Sequence, residues 1–331
     1  FIFVESRRNF KKGKMKAPFI YFGGKSLIAP KIWDLLGNPE HYLEPFAGSL
    51  AVLLARPHKL TTRHSETVND KDCIIANVWR AIKYAPEETA RIADDIVCHV
   101  DLMAKKYYIN SHQPELLLKM SNDPEYFDTK IAGYYIWASS CRIGSELTSP
   151  TGIPFLGHKG MGIQATHIPH LICDKGINTQ TEIYSWFTAL SERLRKVRIV
   201  NGDWTQILGG DWQGYAWNSV GIYLDPPYSD KANRDKNLYG EDSLDVAHDV
   251  REYCIKTSKK HPDWKLVLSG YFEEHQELLD CGFDFMTWKT SGGYGNTSRK
   301  KELSQGQKNR KRETLFYTKN CCISSLFDKK L

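Results

Sequence analysis

The chain has 331 residues, a formal net charge of +6, 41% apolar and 25% charged residues, a balance that supports a sizeable buried core and excludes a disordered or fibrous protein. No apolar run approaches the roughly 18 residues of a membrane helix, and the apolar start at residues 1–4 is too short for a signal peptide, which points to a cytoplasmic protein. Eight cysteines without a Cys-x-x-Cys pair fit a reducing compartment rather than a disulfide framework.

The first methionine is Met15, and residues 1–16 are expected to be a leader outside the fold. Short β-branched or aromatic runs bounded by turn residues then recur at 42–44, 66–69, 197–201, 220–224, 265–269, 283–288 and 314–318, and each reads as a strand. Helical periodicity falls between most of them, at 26–36, 49–55, 71–84, 182–196, 243–258 and 273–281. This alternation predicts an α/β fold with a mainly parallel sheet covered on both faces.

From about residue 79 to 180 no strand is apparent, the segments 86–100 and 125–143 look helical, and 145–170 is rich in Gly, Pro and His. A mainly helical insertion in an α/β domain is the simplest arrangement. His167, His170 and Cys173 are the nearest approach to a metal-ligand cluster, but their setting near prolines and a turn does not make a metal site, and no metal is expected. Only a loop separates the last two strands, so they are expected to form an antiparallel hairpin at a sheet edge. That loop carries eight basic residues between Lys289 and Arg312 against one acid, Glu302. Arg299, Lys300, Lys301, Lys311 and Arg312, with Tyr294 among the glycines, make it the candidate clamp for a DNA backbone. In the insertion, Arg142, Lys159, Gln164 and His167 are further candidates to reach DNA.

The most informative tetrapeptide is Asp225-Pro226-Pro227-Tyr228, directly after the apolar strand at 220–224, where open α/β sheets place their ligands. Consecutive prolines fix the backbone and remove two amide donors, leaving carbonyl acceptors. An exocyclic base amine is a poor nucleophile because its lone pair is delocalised into the ring. Asp225 and the Pro226 carbonyl supply acceptors for its two hydrogens, and Tyr228 offers an aromatic face to a base taken out of the duplex.

With Tyr21-Phe22-Gly23-Gly24-Lys25, Glu44-Pro45-Phe46-Ala47-Gly48, Asn69-Asp70 and Asn201-Gly202-Asp203-Trp204 in that order, the chain resembles the DNA adenine methylase (Dam) family, alpha-ordered amino-methyltransferases, from Ala17 to Asn320. The resemblance implies a Rossmann-like seven-stranded mixed sheet, the fold of methyltransferases that use S-adenosylmethionine, with a target-recognition domain inserted before the catalytic tetrapeptide. Residues 17–78 and 181–320 are then the catalytic domain, 79–180 the insertion and 321–331 a tail. It further implies S-adenosylmethionine as cofactor, duplex DNA as partner and the amino nitrogen of adenine as acceptor, with Asp225, Pro226, Pro227 and Tyr228 as catalytic residues.

Tyr21, Lys25, Glu44, Pro45, Phe46, Gly48, Asp70, Asp203 and Trp204 are the expected cofactor residues. Lys25, after two glycines, suits the cofactor's methionine carboxylate, and Tyr21 packs beside it from the same element. Asp70 resembles a strand-end acid that binds ribose hydroxyls, and the family suggests Asp203 and Trp204 for the adenine ring. Two departures stand out: Tyr21 replaces the family's Trp, and Leu50 occupies the position of its second loop glycine.

A P-loop is excluded because Phe19 stands where Gly24-Lys25-Ser26 would need an earlier glycine. A cytosine-C5 enzyme is disfavoured because no proline precedes a cysteine. Cytosine-N4 or RNA amino-methylation, and a DNA-binding protein of this fold that has lost catalysis, stay open as alternatives.

Overall fold

The seven expected strands all form, and they form one sheet. In chain order the elements are α1 (Ala29–Leu36), β1 (His41–Glu44), α2 (Ala51–Leu54), β2 (Ser65–Asp70), α3 (Cys73–Tyr84), α4 (Pro86–Ala93), α5 (His99–Asn122), α6 (Thr129–Cys141), β3 (Arg142–Gly144) and β4 (Pro154–Leu156). They continue with α7 (Thr179–Leu194), β5 (Val197–Asn201), β6 (Val220–Leu224), α8 (Ser243–Lys260), β7 (Lys265–Tyr271), β8 (Phe283–Thr287) and β9 (Glu313–Thr318). The computed structural model describes residues 15–19, 21, 23–95, 98–144, 147, 154–156, 179–209, 219–227, 243–288 and 313–321.

The strand order is β5-β2-β1-β6-β7-β9-β8. The first five of these are mutually parallel, and β9 runs antiparallel between β7 and β8. From β1 the chain goes outward to β2 on one side and later returns to β6 on the other. The carboxyl ends of β1 and β6 therefore flank the crevice where the winding direction reverses, the usual ligand position in open α/β sheets. β6 is buried along its whole length, as expected of a central parallel strand covered on both faces. The β8–β9 pair is the expected antiparallel edge hairpin; its basic loop, with Arg299, Lys300, Lys301, Lys311 and Arg312, lies outside the described residues.

Two hydrophobic clusters cover the two faces of the sheet. One contains Leu43, Ile222 and Leu224 with Val250 and Cys254 of α8. The other contains Tyr42, Val68 and Tyr223 with residues of α1, α2, α3 and α7, and it runs without a break into α4, α5 and α6. Phe19 joins these parts, with its ring 5.3 Å from Trp79 of α3 and 5.5 Å from Tyr135 of α6. At Gly133 of α6 an added Cβ would lie 2.5 Å from Ile92, so the α4–α6 crossing depends on a missing side chain. The helices of the middle segment thus share their core with one face of the sheet.

Two local expectations need correction. The helix expected over 86–100 ends at Ala93 and a new helix starts at His99. That helix, α5, runs through Pro114, whose cost of roughly 3 kcal/mol in a helix interior is offset by burial of Leu102, Ile109, Leu116 and Met120 at helical spacing. Where no strand was expected, β3 and β4 pair antiparallel, in runs of three residues that are too short for periodicity to reveal. The expected domain boundary at 79 falls inside α3, whose Trp79 is 1% exposed.

Glu66 of β2 binds two arginines under the sheet edge. Its carboxylate lies 3.0 Å from Arg56 and 2.6 Å from Arg193, and Glu66 and Arg56 are each 1% exposed. Arg56 also donates to the Pro39 carbonyl and Arg193 to the Leu53 carbonyl, so this triad ties the loop before β1 to the end of α2 and to α7. Removing the carboxylate leaves two cations uncompensated. We expect Glu66→Ala to lower unfolding free energy by about 3–5 kcal/mol, read from urea unfolding; a loss under about 1 kcal/mol would show that the triad is not what joins these elements.

Candidate active site

The site is assembled at the carboxyl ends of β1, β2, β5 and β6. Asn69, the penultimate residue of β2, donates its side-chain amide to the carbonyls of Pro45 and Gly202, both at 3.0 Å, and its own carbonyl accepts from Ala47. One amide therefore sets the spacing of the loops after β1 and β5. Asp70 closes the strand: its Oδ2 accepts from the Gly48 amide at 2.8 Å and its Oδ1 from the Asp72 amide at 2.9 Å. Burial and the nearby Asp72 carboxylate push the Asp70 carboxyl up to about 7, against the pull of the two amides. Asp70, expected to meet a ribose, thus also holds the loop that follows β1.

That loop runs from Glu44 to Leu50. Gly48 has φ +46, and a Cβ there would come within 2.6 Å of the Tyr21 ring, so the sequence-predicted Tyr21 and Gly48 are in direct contact. The Gly48 carbonyl accepts from the Trp79 indole at 2.8 Å. Leu50 precedes α2 in the left-handed region, φ 52 and ψ 26, with its side chain fully buried. A non-glycine residue there costs roughly 1–2 kcal/mol, while burying a leucine returns about 1.5–3 kcal/mol. The helix start is kept, and the departure at this position is accommodated by packing beneath the loop.

Glu44 faces the interior rather than the crevice. Its Oε2 accepts from the Tyr42 hydroxyl at 2.9 Å and from the Leu53 amide at 3.2 Å, so it caps α2 from the neighbouring strand. Burial dominates its titration and pushes it up to about 8, with the Asp225 and Glu66 carboxylates adding to the rise. Phe46 stacks on Trp204, with ring centroids 6.0 Å apart and planes 26° apart; Trp204 also meets Tyr253 of α8 edge-on at 5.7 Å. Asp203 caps the 3-10 turn Trp204–Ile207 by accepting from the Thr205 amide and hydroxyl. Beside it opens a cavity of about 510 Å³ lined by Lys71, Asp203, Trp204, Thr205, Val246, Asp249 and Glu252, rich in acceptors for amine and hydroxyl donors.

Asp225 emerges from the buried β6 at 19% side-chain exposure, and its Oδ1 lies 2.8 Å from the Lys25 ammonium, which is 6% exposed. Lys25 also donates to the Gly23 carbonyl at 2.9 Å. The amino-terminal element and the Asp-Pro-Pro-Tyr tetrapeptide, with Lys25 and Asp225 200 positions apart, therefore meet through an ion pair. Pro226 is buried and Pro227 half-buried. Tyr228 lies outside the described residues, as do Phe22, Lys159, Gln164, His167, His170, Cys173 and Tyr294. The sequence did not single out Tyr42, Trp79 or Asp72, which hold the loop residues in place. For Asp72 the signal was present, as an acid directly before a helical pattern; for Tyr42 and Trp79 there was none, because their partners are set by the fold.

Two expectations follow for stability. Because Leu50 pays a left-handed cost that glycine avoids, Leu50→Gly is expected to be about 1 kcal/mol more stable than Leu50→Ala, the reverse of the usual ranking, by urea unfolding. The pH profile has two limbs. His41 and His275 are lowered by burial to about 4 and about 3, so they stabilise the fold above their unfolded value of 6.5 and lose this as pH falls. Glu44 and Asp70 are raised to about 8 and about 7, so their contribution is complete only below the usual carboxylate range and is lost as pH rises through those values. Above about pH 6.5 only the carboxyls act and stability falls. Glu44→Gln is expected to flatten that fall by up to about 1.4 kcal/mol per pH unit; an unchanged slope would mean that Glu44 is ionised in the fold.

Residues 21–146 match the family model described as D12 class N6 adenine-specific DNA methyltransferase. No curated protein matches the chain. The matched stretch contains the Tyr21–Lys25 element, the loop after β1 and Asp70; the Asp225 tetrapeptide lies beyond it.

Proposed function

We propose that this chain, whose residues 21–146 match the model of D12 class N6 adenine-specific DNA methyltransferases, transfers a methyl group from S-adenosylmethionine to the exocyclic amino nitrogen of an adenine taken out of duplex DNA at a specific site. The observation that carries this reading is the Asp225–Lys25 pair at the β1–β6 crevice, which joins the matched region to the Asp-Pro-Pro-Tyr tetrapeptide.

The residues present fit the cofactor. The Tyr21 ring against Gly48 forms one wall, and the Asp203–Trp204 cavity, with its carboxylates and indole, suits an adenosine moiety. Asp70 stands between them at the end of β2. When bound, S-adenosylmethionine supplies an electrophilic methyl group on a positively charged sulfur.

The chain's own part is to make the amine nucleophilic and to orient it. Asp225 and the Pro226 carbonyl accept its two hydrogens, which draws the lone pair out of ring conjugation and toward the methyl carbon. Pro227 keeps that carbonyl in place because its ring fixes the backbone, and Tyr228 provides the stacking face. The nitrogen–carbon bond forms as the sulfur–carbon bond breaks, and one amine proton passes to solvent. No covalent enzyme intermediate is needed. The basic loop, with Arg299, Lys300, Lys301, Lys311 and Arg312, grips the phosphate backbone, and the middle segment 79–180 carries target recognition.

The test is transfer of labelled methyl from S-adenosylmethionine to mixed-sequence duplex DNA, followed by nucleoside analysis, for the parent chain and Asp225→Ala. N6-methyladenine from the parent and none from Asp225→Ala, with DNA binding retained, is the expected result. Methylcytosine, or loss of DNA binding in the variant, would overturn the roles assigned.

A further inference from the structure

We propose that Lys25 is a positioning residue for Asp225 and not a ligand of the cofactor's carboxylate; this rests on the function proposed above. Both the backbone and the side chain of Lys25 are held, and its ammonium ends on Asp225. Its backbone is fixed at the entry to α1, where its carbonyl accepts from the amides of Ile28 at 3.1 Å and Ala29 at 2.8 Å. Gly24 lies against the loop after β1, since a Cβ there would sit 3.2 Å from the Tyr21 carbonyl and 3.7 Å from the Ser49 hydroxyl. Gly23 has φ +76, a conformation that only glycine adopts without strain, and its carbonyl is thereby brought back to the ammonium at 2.9 Å.

The side chain between these anchors is 6% exposed and ends 2.8 Å from Asp225 Oδ1. Two of the ammonium's three donors are committed to these acceptors, so moving it toward a cofactor carboxylate would loosen its hold on Asp225. It would also strand Asp225 beside the buried Glu44, whose titration already registers the Asp225 charge. Separating a largely buried pair is costly, so the pair is a fixed part of the site.

A carboxylate held through one oxygen keeps a set plane, and this orientation is what the reaction requires of Asp225. An aspartate turning freely at 19% exposure would offer its acceptor to the amine only part of the time. The ammonium also offsets the Asp225 charge above the buried Glu44. Lys25 therefore acts on the base through Asp225, from an element 200 residues upstream.

The experiment compares Lys25→Met and Lys25→Arg with the parent chain, after thermal unfolding shows each to be folded, by calorimetric titration with S-adenosylmethionine and by kcat on duplex DNA at saturating cofactor. A positioning role predicts cofactor Kd within about threefold of the parent for Lys25→Met and kcat lower by about 100-fold. Lys25→Arg should recover much of that loss, and Lys25→Met should cost nothing further in an Asp225→Asn background. A cofactor ligand gives the opposite split, with Kd weakened about tenfold or more and kcat at saturation nearly unchanged; that result would overturn the proposal. Additive losses in the double variant would overturn it too. If the parent methylates no DNA adenine, the proposed function fails by itself, while the titration, which needs no turnover, still decides whether Lys25 contacts the cofactor.

Discussion

The geometry of the site depends on the last two residues of β2. Asn69 bridges the carbonyls of Pro45 and Gly202, and Asp70 takes the amide of Gly48. Parallel pairing brings the ends of β1, β2 and β5 to one edge of the sheet, but parallel strands leave their connecting loops unpaired. These two polar side chains supply the missing hydrogen bonds. Burying such groups without partners is costly; here the Asn69 amide nitrogen and the Asp70 carboxylate take partners from the backbone they hold, so burial and loop placement are the same interaction.

Depth and partners give the two acids at this edge different surroundings. Glu44, enclosed below the crevice, is pushed up to about 8 and is largely protonated near neutral pH, where it acts as a hydrogen-bonded cap on α2. Asp225, a short way above it and partly open to solvent, has an ammonium at 2.8 Å. Two carboxyl groups of similar intrinsic acidity are thus given different tasks by depth and by one lysine. The tyrosines of the same layer, Tyr42 and Tyr223, are raised well above their ordinary value by burial and by these acids; they serve as neutral donors and packing groups.

The architecture was legible in the sequence wherever one local signal sufficed. All seven sheet strands were readable from short β-branched or aromatic runs, most plainly β6, which is central, parallel and continuously apolar. The helix expected at 71–84 forms as α3, starting two residues later behind an Asp72 cap that the structure supplies. Elements that depend on distant contacts were not legible. The long helix α5 carries Pro114 and a mixed pattern, and only its buried side against the rest of the core holds it together. The β3–β4 pair is too short to show a period, and the shared core of α3, α4, α6 and α7 cannot be read from segments considered one at a time.

The same division applies to the site. Sequence alone made legible which residue types the family resemblance assigns to the site: an acid with two prolines after a buried strand, an amino-terminal Gly-Gly-Lys and an acid closing the second strand, because these depend on backbone form and chain order. Tertiary structure alone decided what each one touches. It turned Glu44 inward and committed both oxygens of Asp70 to backbone amides, let Leu50 pack in a left-handed conformation, and set Lys25 on Asp225. The reason is physical: a side chain's partner is chosen by where the sheet register and the loops place it, and a contact across 200 residues leaves no trace in the spacing of either motif.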